Sequence, residues 1–155
     1  MATTFFNKTA IILNIFPRIT MSITVKIQDA TTLNLETDST SSVFILDLLT
    51  ERITVRDLIR SRVYQEVKDY NTRQPEYFRG LVQPTEAEQS LNGYKLKKPR
   101  QLNWESQLAK AIAAFEGNGF LILVDDEQVT ELDEEIVITP ATVVTFLKLV
   151  PLVGG

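Results

Sequence analysis

The side chains that most often carry protein chemistry near neutral pH are missing from this chain, which contains neither cysteine nor histidine. No thiolate can attack a substrate, no Ser-His-Asp triad can form, and the usual zinc ligand sets have no members. Histidine is also the commonest general base near pH 7, so an internal active site would rest on carboxylates drawn from 20 Asp and Glu. Acids crowd one stretch: Asp125, Asp126, Glu127, Glu131, Asp133, Glu134 and Glu135. They lack the spacing of an EF-hand loop and have no glycine at its turn position, so they read as solvated loops. No metal site and no catalytic side chain is expected.

The remaining candidate lies in the tail, Pro151-Leu152-Val153-Gly154-Gly155. A carboxylate on Gly155 is a poor acyl donor until it is activated as an acyl-adenylate. Glycine has no Cβ, so Gly154 and Gly155 suit a narrow channel and a close approach to a nucleotide. Pro151 lacks an N–H and ends ladder pairing, which releases the tail from a preceding strand. Two terminal glycines arise by chance about once in two hundred chains. The elements that would hold the tail therefore matter.

Ile23, Val25 and Ile27 alternate with polar residues, the period of a half-buried strand. The second core strand is either the segment with Leu33 and Leu35 or the denser run VFILDLL at residues 43–49. Thr54 is placed to cap a helix, with Asp57 where a capping box has its acid. Val55, Leu58, Ile59, Val63, Val67 and Tyr70 then form one apolar stripe, the mark of a helix packed on a sheet.

Residues 71–117 change character. Pro75, Pro84 and Pro99 interrupt them and Asn92-Gly93 marks a turn. Thr85 could cap a short helix through Glu88. A stronger helix is predicted over residues 104–115, with Trp104, Leu108, Ala111, Ile112 and Phe115 on one face, ended by Gly117-Asn118-Gly119. Trp104 and Phe115 are expected to form the core of this insertion. Strand character resumes at residues 120–124, followed by an Asp125-Asp126-Glu127 turn, short segments near residues 128–132 and 136–138, and a last strand over residues 143–150. That strand is apolar on both faces, as in a strand covered on both sides.

At 155 residues, 44% hydrophobic and 23% charged, the chain has the size and composition of one globular domain. A net charge of −4 argues against nucleic-acid binding, which draws on clustered Lys and Arg. The short basic run from Lys95 to Arg100 reads as a solvated loop. The apolar run at residues 10–16 is too short to span a bilayer, and no small-residue cleavage site follows it. No membrane association is expected. Without cysteines there is no sign of an oxidising compartment, and a cytoplasmic location is expected.

The stretch from Leu123 to Asp133 (LVDDEQVTELD), followed by TVVTFLKLVPLVGG from Thr142 to Gly155, resembles the C-terminal half of the MoaD/ThiS group of ubiquitin-like proteins. The preceding strands and helix are similar to the β-grasp plan. The resemblance implies an α+β fold, a β-grasp mixed sheet on one main helix, occupying residues 21–155 with a partly helical insertion at about 71–117. It implies no bound cofactor. An E1-like enzyme would use ATP to adenylate Gly155, with Pro151, Leu152, Val153 and Gly154 entering that enzyme and Phe146 on the docking face. The product is then a protein modifier passed to target amines, with an E2-like enzyme and a metalloprotease as further partners. Alternatively it is a sulfur carrier whose thiocarboxylate serves a sulfur-acceptor synthase. Compact sulfur carriers lack an insertion of this size. A third reading is a non-covalent β-grasp binding module.

Two readings of residues 1–20 follow: Met21 is the natural start, or the first twenty residues are a mobile N-terminal extension. N-terminal sequencing of the native protein is expected to begin at Met21 or to find residues 1–20 open to protease; a retained and protected Met1 would contradict it.

Overall fold

The computed structural model describes residues 22–31 and 43–149. The N-terminal extension, the alternative strand at Leu33 and Leu35, and the tail from Pro151 to Gly155 lie outside the described residues. The described chain is α+β, with a mixed sheet and two helices.

The alternation that begins at Ile23 forms β1 (Ile23–Thr31), and the dense apolar run forms β2 (Val43–Leu48), its antiparallel partner. Both Leu46 and Leu48 are buried, which explains why this segment pairs with β1. A short β3 (Arg52–Thr54) leads directly into α1 (Val55–Arg73). Thr54 is the N-cap: its Oγ1 accepts from the Asp57 N–H at 3.1 Å and donates to the Asp57 carboxylate at 2.9 Å. Two further N–H groups of the first turn reach outside the helix, from Val55 to the Glu134 carbonyl and from Arg56 to that of Leu132. They tie the helix start to the loop before β8 (Glu135–Val137), which pairs with β3. All six residues of the predicted apolar stripe are buried.

Residues 71–117 fold as a hairpin and a helix. The expected short helix after Thr85 is absent. Thr85 and Glu86 turn instead, and β4 (Ala87–Ser90) pairs with β5 (Gly93–Leu96). The Asn92-Gly93 turn prevails because Gly93 takes a φ of 125°, open only to glycine. Ser90 Oγ then braces the loop, donating to the Gly93 carbonyl at 3.0 Å and accepting from the Asn92 N–H at 3.2 Å. A helix of one turn has no comparable closure to offset its nucleation cost. The stronger helix forms as α2 (Trp104–Glu116), capped by Asn103. It ends at Gly117-Asn118-Gly119, where the Gly117 and Gly119 N–H groups return to the Ala113 and Ala114 carbonyls. Asn71 of α1 fastens this region by bonding both the N–H and the carbonyl of Leu102, at 2.8 and 2.9 Å.

The chain then returns to the sheet as β6 (Phe120–Val124) and β7 (Glu127–Val129). Asp125 and Asp126 make the two-residue turn between them with φ of 48° and 71°, the left-handed pair such a hairpin demands. The last strand, β9 (Val143–Lys148), lies in the middle of the sheet order β2-β1-β9-β6-β7. It runs parallel to β1 and antiparallel to β6. Val25, Ile27, Ile122, Val144 and Phe146 from these strands meet the α1 stripe in a single core.

Replacing Thr54 by Ala removes both halves of the box. Urea denaturation is expected to show a loss of about 1 kcal/mol, with the same m value as the parent.

Candidate functional site

Because β9 leads in sequence into the tail, the structure around its end is the candidate site. Parity along the strands decides what gathers there. Val25 and Ile27 of β1 point into the core, and Asp29 continues on the same side. Asp29 lies opposite Phe146 of β9 in the parallel register. The α1 helix lays Arg62 over this pair. Its side chain is 1% exposed, and its guanidinium sits 4.2 Å from the Phe146 ring centre. Two guanidinium nitrogens bond the two Asp29 oxygens at 2.5 and 2.9 Å, a bidentate fork. Nε donates to Glu66 at 2.7 Å, one turn further along α1. Burial alone would lower the Arg62 pKa, but Glu66 and then Asp29 outweigh it and hold the pKa above its ordinary value.

The same cluster anchors the region of residues 71–117. The second Glu66 oxygen accepts from the Leu81 N–H at 3.0 Å, and Lys148 Nζ donates to the Gly80 carbonyl at 3.1 Å. Gly80 lies against the Phe78 ring so closely that any Cβ would overlap it. Lys148 also stands over the Tyr94 ring of β5 at 5.7 Å. Burial lowers the Lys148 pKa, and the attraction of Asp29 only partly offsets this. Tyr94 is pushed the other way, first by burial and then by Glu66. A groove of about 360 Å³ opens beside these groups, lined among others by Thr31, Leu81, Gln83, Tyr94, Lys148 and Leu149.

Two cations, Arg62 and Lys148, face two carboxylates, Asp29 and Glu66, so the cluster is internally neutral. Within it Arg62 bonds Asp29 and Glu66, while Glu66 and Lys148 each also bond backbone. Chemically it serves as an anchor that fixes the end of β9 against β1, α1 and the hairpin.

Of the residues singled out from sequence, Gly155, Gly154, Val153, Leu152 and Pro151 lie outside the described residues. Phe146 requires a correction. It is fully buried, between the Arg62 guanidinium and the Phe120 ring at 6.0 Å, because even-numbered positions of β9 face the helix. Its ring is unavailable for docking. All seven acids of the stretch are exposed, as expected of solvated positions, and three of them also hold local structure: Asp125 accepts from the Val143 N–H, Asp133 pairs with Arg56, and Glu134 accepts from the Thr130 N–H. Among the described residues no group of three or more acids is arranged to hold a metal ion. Nor is any helix there long and apolar enough to cross a membrane.

Sequence reasoning passed over Arg62, Glu66, Asp29 and Lys148. The signal was available in part, since Arg62 and Glu66 are four apart beside the apolar stripe and Asp29 continues the core-facing parity of β1. No family model, curated protein or solved structure matches this chain.

Changing Arg62 to Met strands Asp29 and Glu66. Denaturant unfolding is expected to show a loss of about 3–5 kcal/mol, and a cycle with Asp29→Asn should give a coupling well above the scatter of independent sites. For Lys148, folding favours the free amine, so the unfolded chain binds the extra proton. Its contribution to stability therefore rises as pH climbs through the lowered pKa toward the ordinary lysine range. Unfolding between pH 7 and about 10 should show this rise in the parent and not in Lys148→Met.

Proposed function

We propose that this is a ubiquitin-like β-grasp protein whose working group is a carboxylate on Gly155, adenylated by an E1-like enzyme and passed to target amines as a protein modifier. The observation that carries the reading is the position of β9. The strand that leads into Pro151-Leu152-Val153-Gly154-Gly155 is the central one, paired on both sides as far as Lys148, with Thr31 and with Phe120. A tail leaving such a strand starts from a fixed root. The sheet order β2-β1-β9-β6-β7, with its parallel central pair and α1 between the first hairpin and the later strands, is the order expected of a β-grasp sheet.

The chemistry asks nothing of this chain's side chains. The Gly155 carboxylate attacks the α-phosphate of ATP and expels pyrophosphate, giving an acyl-adenylate. A lysine amine on the target then attacks the acyl carbon, forms the amide and releases AMP, the nitrogen losing a proton. The same sequence applies whether Gly155 is the encoded end or is exposed by a metalloprotease. With Phe146 inside, the surface offered to the activating enzyme is the opposite face of the sheet. There the half-buried Leu121 and Leu123 of β6 share a face with the half-buried Thr145 and Val143 of β9, with the exposed Ile45 at the β2 edge.

A sulfur carrier would share the first step and differ in the second, a sulfur donor replacing the amine to leave a thiocarboxylate. The hairpin and second helix of residues 71–117 favour the modifier, since they add a large surface that a small-molecule sulfur relay does not require. Mass spectrometry of the protein and its targets from cells distinguishes them. A modifier leaves a glycine remnant on target lysines, whereas a carrier shows exchange of one oxygen for sulfur at its C-terminus. Should deletion of Gly155 change neither conjugates nor phenotype, both covalent readings fail and a non-covalent module remains.

A further inference from the structure

Lys148 keeps bonding capacity that the anchor does not use. An ammonium has three N–H donors, and among the described residues Lys148 makes one hydrogen bond, to the Gly80 carbonyl at 3.1 Å. It forms no ion pair there. The half-buried Lys148 lines the groove of about 360 Å³ beside the end of β9. The Tyr94 ring, 5.7 Å from Nζ, lines the same groove, which places the amine at its wall.

The groove has the size and make-up of a small-molecule site, for which roughly 300–1,000 Å³, apolar walls and a few polar groups are usual. Leu81, Ala114, Phe120 and Leu149 supply apolar wall. The Gln89 amide and the Tyr94 hydroxyl also line it, and neither makes a hydrogen bond among the described residues. Lys148 is the only charged residue of the lining. Its charge already belongs to a neutral set with Arg62, Asp29 and Glu66, so an anionic ligand would leave one charge unbalanced. An uncharged ligand would not.

The state of the amine agrees with this geometry. Burial lowers the Lys148 pKa, Asp29 offsets part of that and Arg62 reinforces it. A desolvated lysine beside a second cation is the setting in which an amine becomes a nucleophile. Tyr94 is held protonated by burial and by Glu66, and so stays a donor.

We propose that this groove takes an uncharged carbonyl compound, an aldehyde with an apolar body, and that Lys148 Nζ captures it as an imine. The free amine adds to the carbonyl carbon and gives a carbinolamine. The former carbonyl oxygen then leaves as water with the two protons of the amine nitrogen, and a C=N bond remains. Nothing is oxidised or reduced. The site does not depend on activation of Gly155.

The test treats the full chain with benzaldehyde near pH 7, traps imines with cyanoborohydride and maps the labelled lysines by mass spectrometry. Lys148 is expected to be labelled at least tenfold faster than any other lysine. Glyoxylate, an anionic aldehyde, should show no such preference. The change Gln89→Trp, at an exposed position on the groove, fills the space and leaves the amine in place. It should slow labelling of Lys148 at least tenfold, with the other lysines and the circular dichroism unchanged. Labelling that simply follows exposure, with Lys148 among the slowest, overturns the proposal. So does an equal preference for Lys148 by glyoxylate, or labelling of Lys148 at the parent rate in Gln89→Trp.

Discussion

A guanidinium inside an apolar core is tolerated only when its charge is matched and its donors are used. Arg62 meets both conditions by gathering groups from separate parts of the chain: Asp29 from β1, Glu66 from its own helix, and the face of the Phe146 ring from β9. The arrangement requires β1 and β9 to be parallel and in one register, since only then does Asp29 lie opposite Phe146. A slip of one residue would send one of the two to the other face of the sheet. The ion network therefore acts as a registry pin, whatever its net worth in free energy.

The pin also explains how residues 71–117 are joined to the sheet without disturbing it. Glu66 uses one oxygen for Arg62 and the other for the Leu81 N–H, and Lys148 takes the neighbouring Gly80 carbonyl. A segment that interrupts the chain between α1 and β6 is thus fastened to the end of the very strand that leads to the tail. On the far side Asn71 and Gln107 bond the backbone of Leu102 and Val82, so buried polar groups of this segment find partners, and the aromatic pairs Tyr70–Phe78 and Phe115–Phe120 join it to α1 and β6. Such a mutually satisfied network holds one geometry, whereas a half-satisfied one would be costlier than an apolar core.

Local signals carried much of the fold. Period-two alternation found β1, the Thr54 box and the apolar stripe found α1, and glycines marked the end of α2, because each depends on residues within a few positions of one another. The signal failed at Thr85, where a capping motif competed with the closure of the Asn92-Gly93 hairpin. It also left β2 undecided, since a short apolar run fits either candidate until its pairing partner is known. The choice of face for β9 was the more instructive failure. A strand apolar on both sides does not reveal which parity meets the helix, and Phe146 went to the core with Val144 because Val25 and Ile27 of the adjoining strand already face α1.

By itself the sequence determined that no cysteine or histidine chemistry is available, that a diglycine follows the last strand, and that one long amphipathic helix packs on a sheet. These are facts of composition and short-range spacing. Tertiary structure alone decided that the last strand is central and that Arg62, Asp29, Glu66 and Lys148 meet at its end. Their separations along the chain, from Asp29 to Lys148, leave no periodic trace, and burial in a common low-dielectric core is what turns four scattered charges into a single anchor.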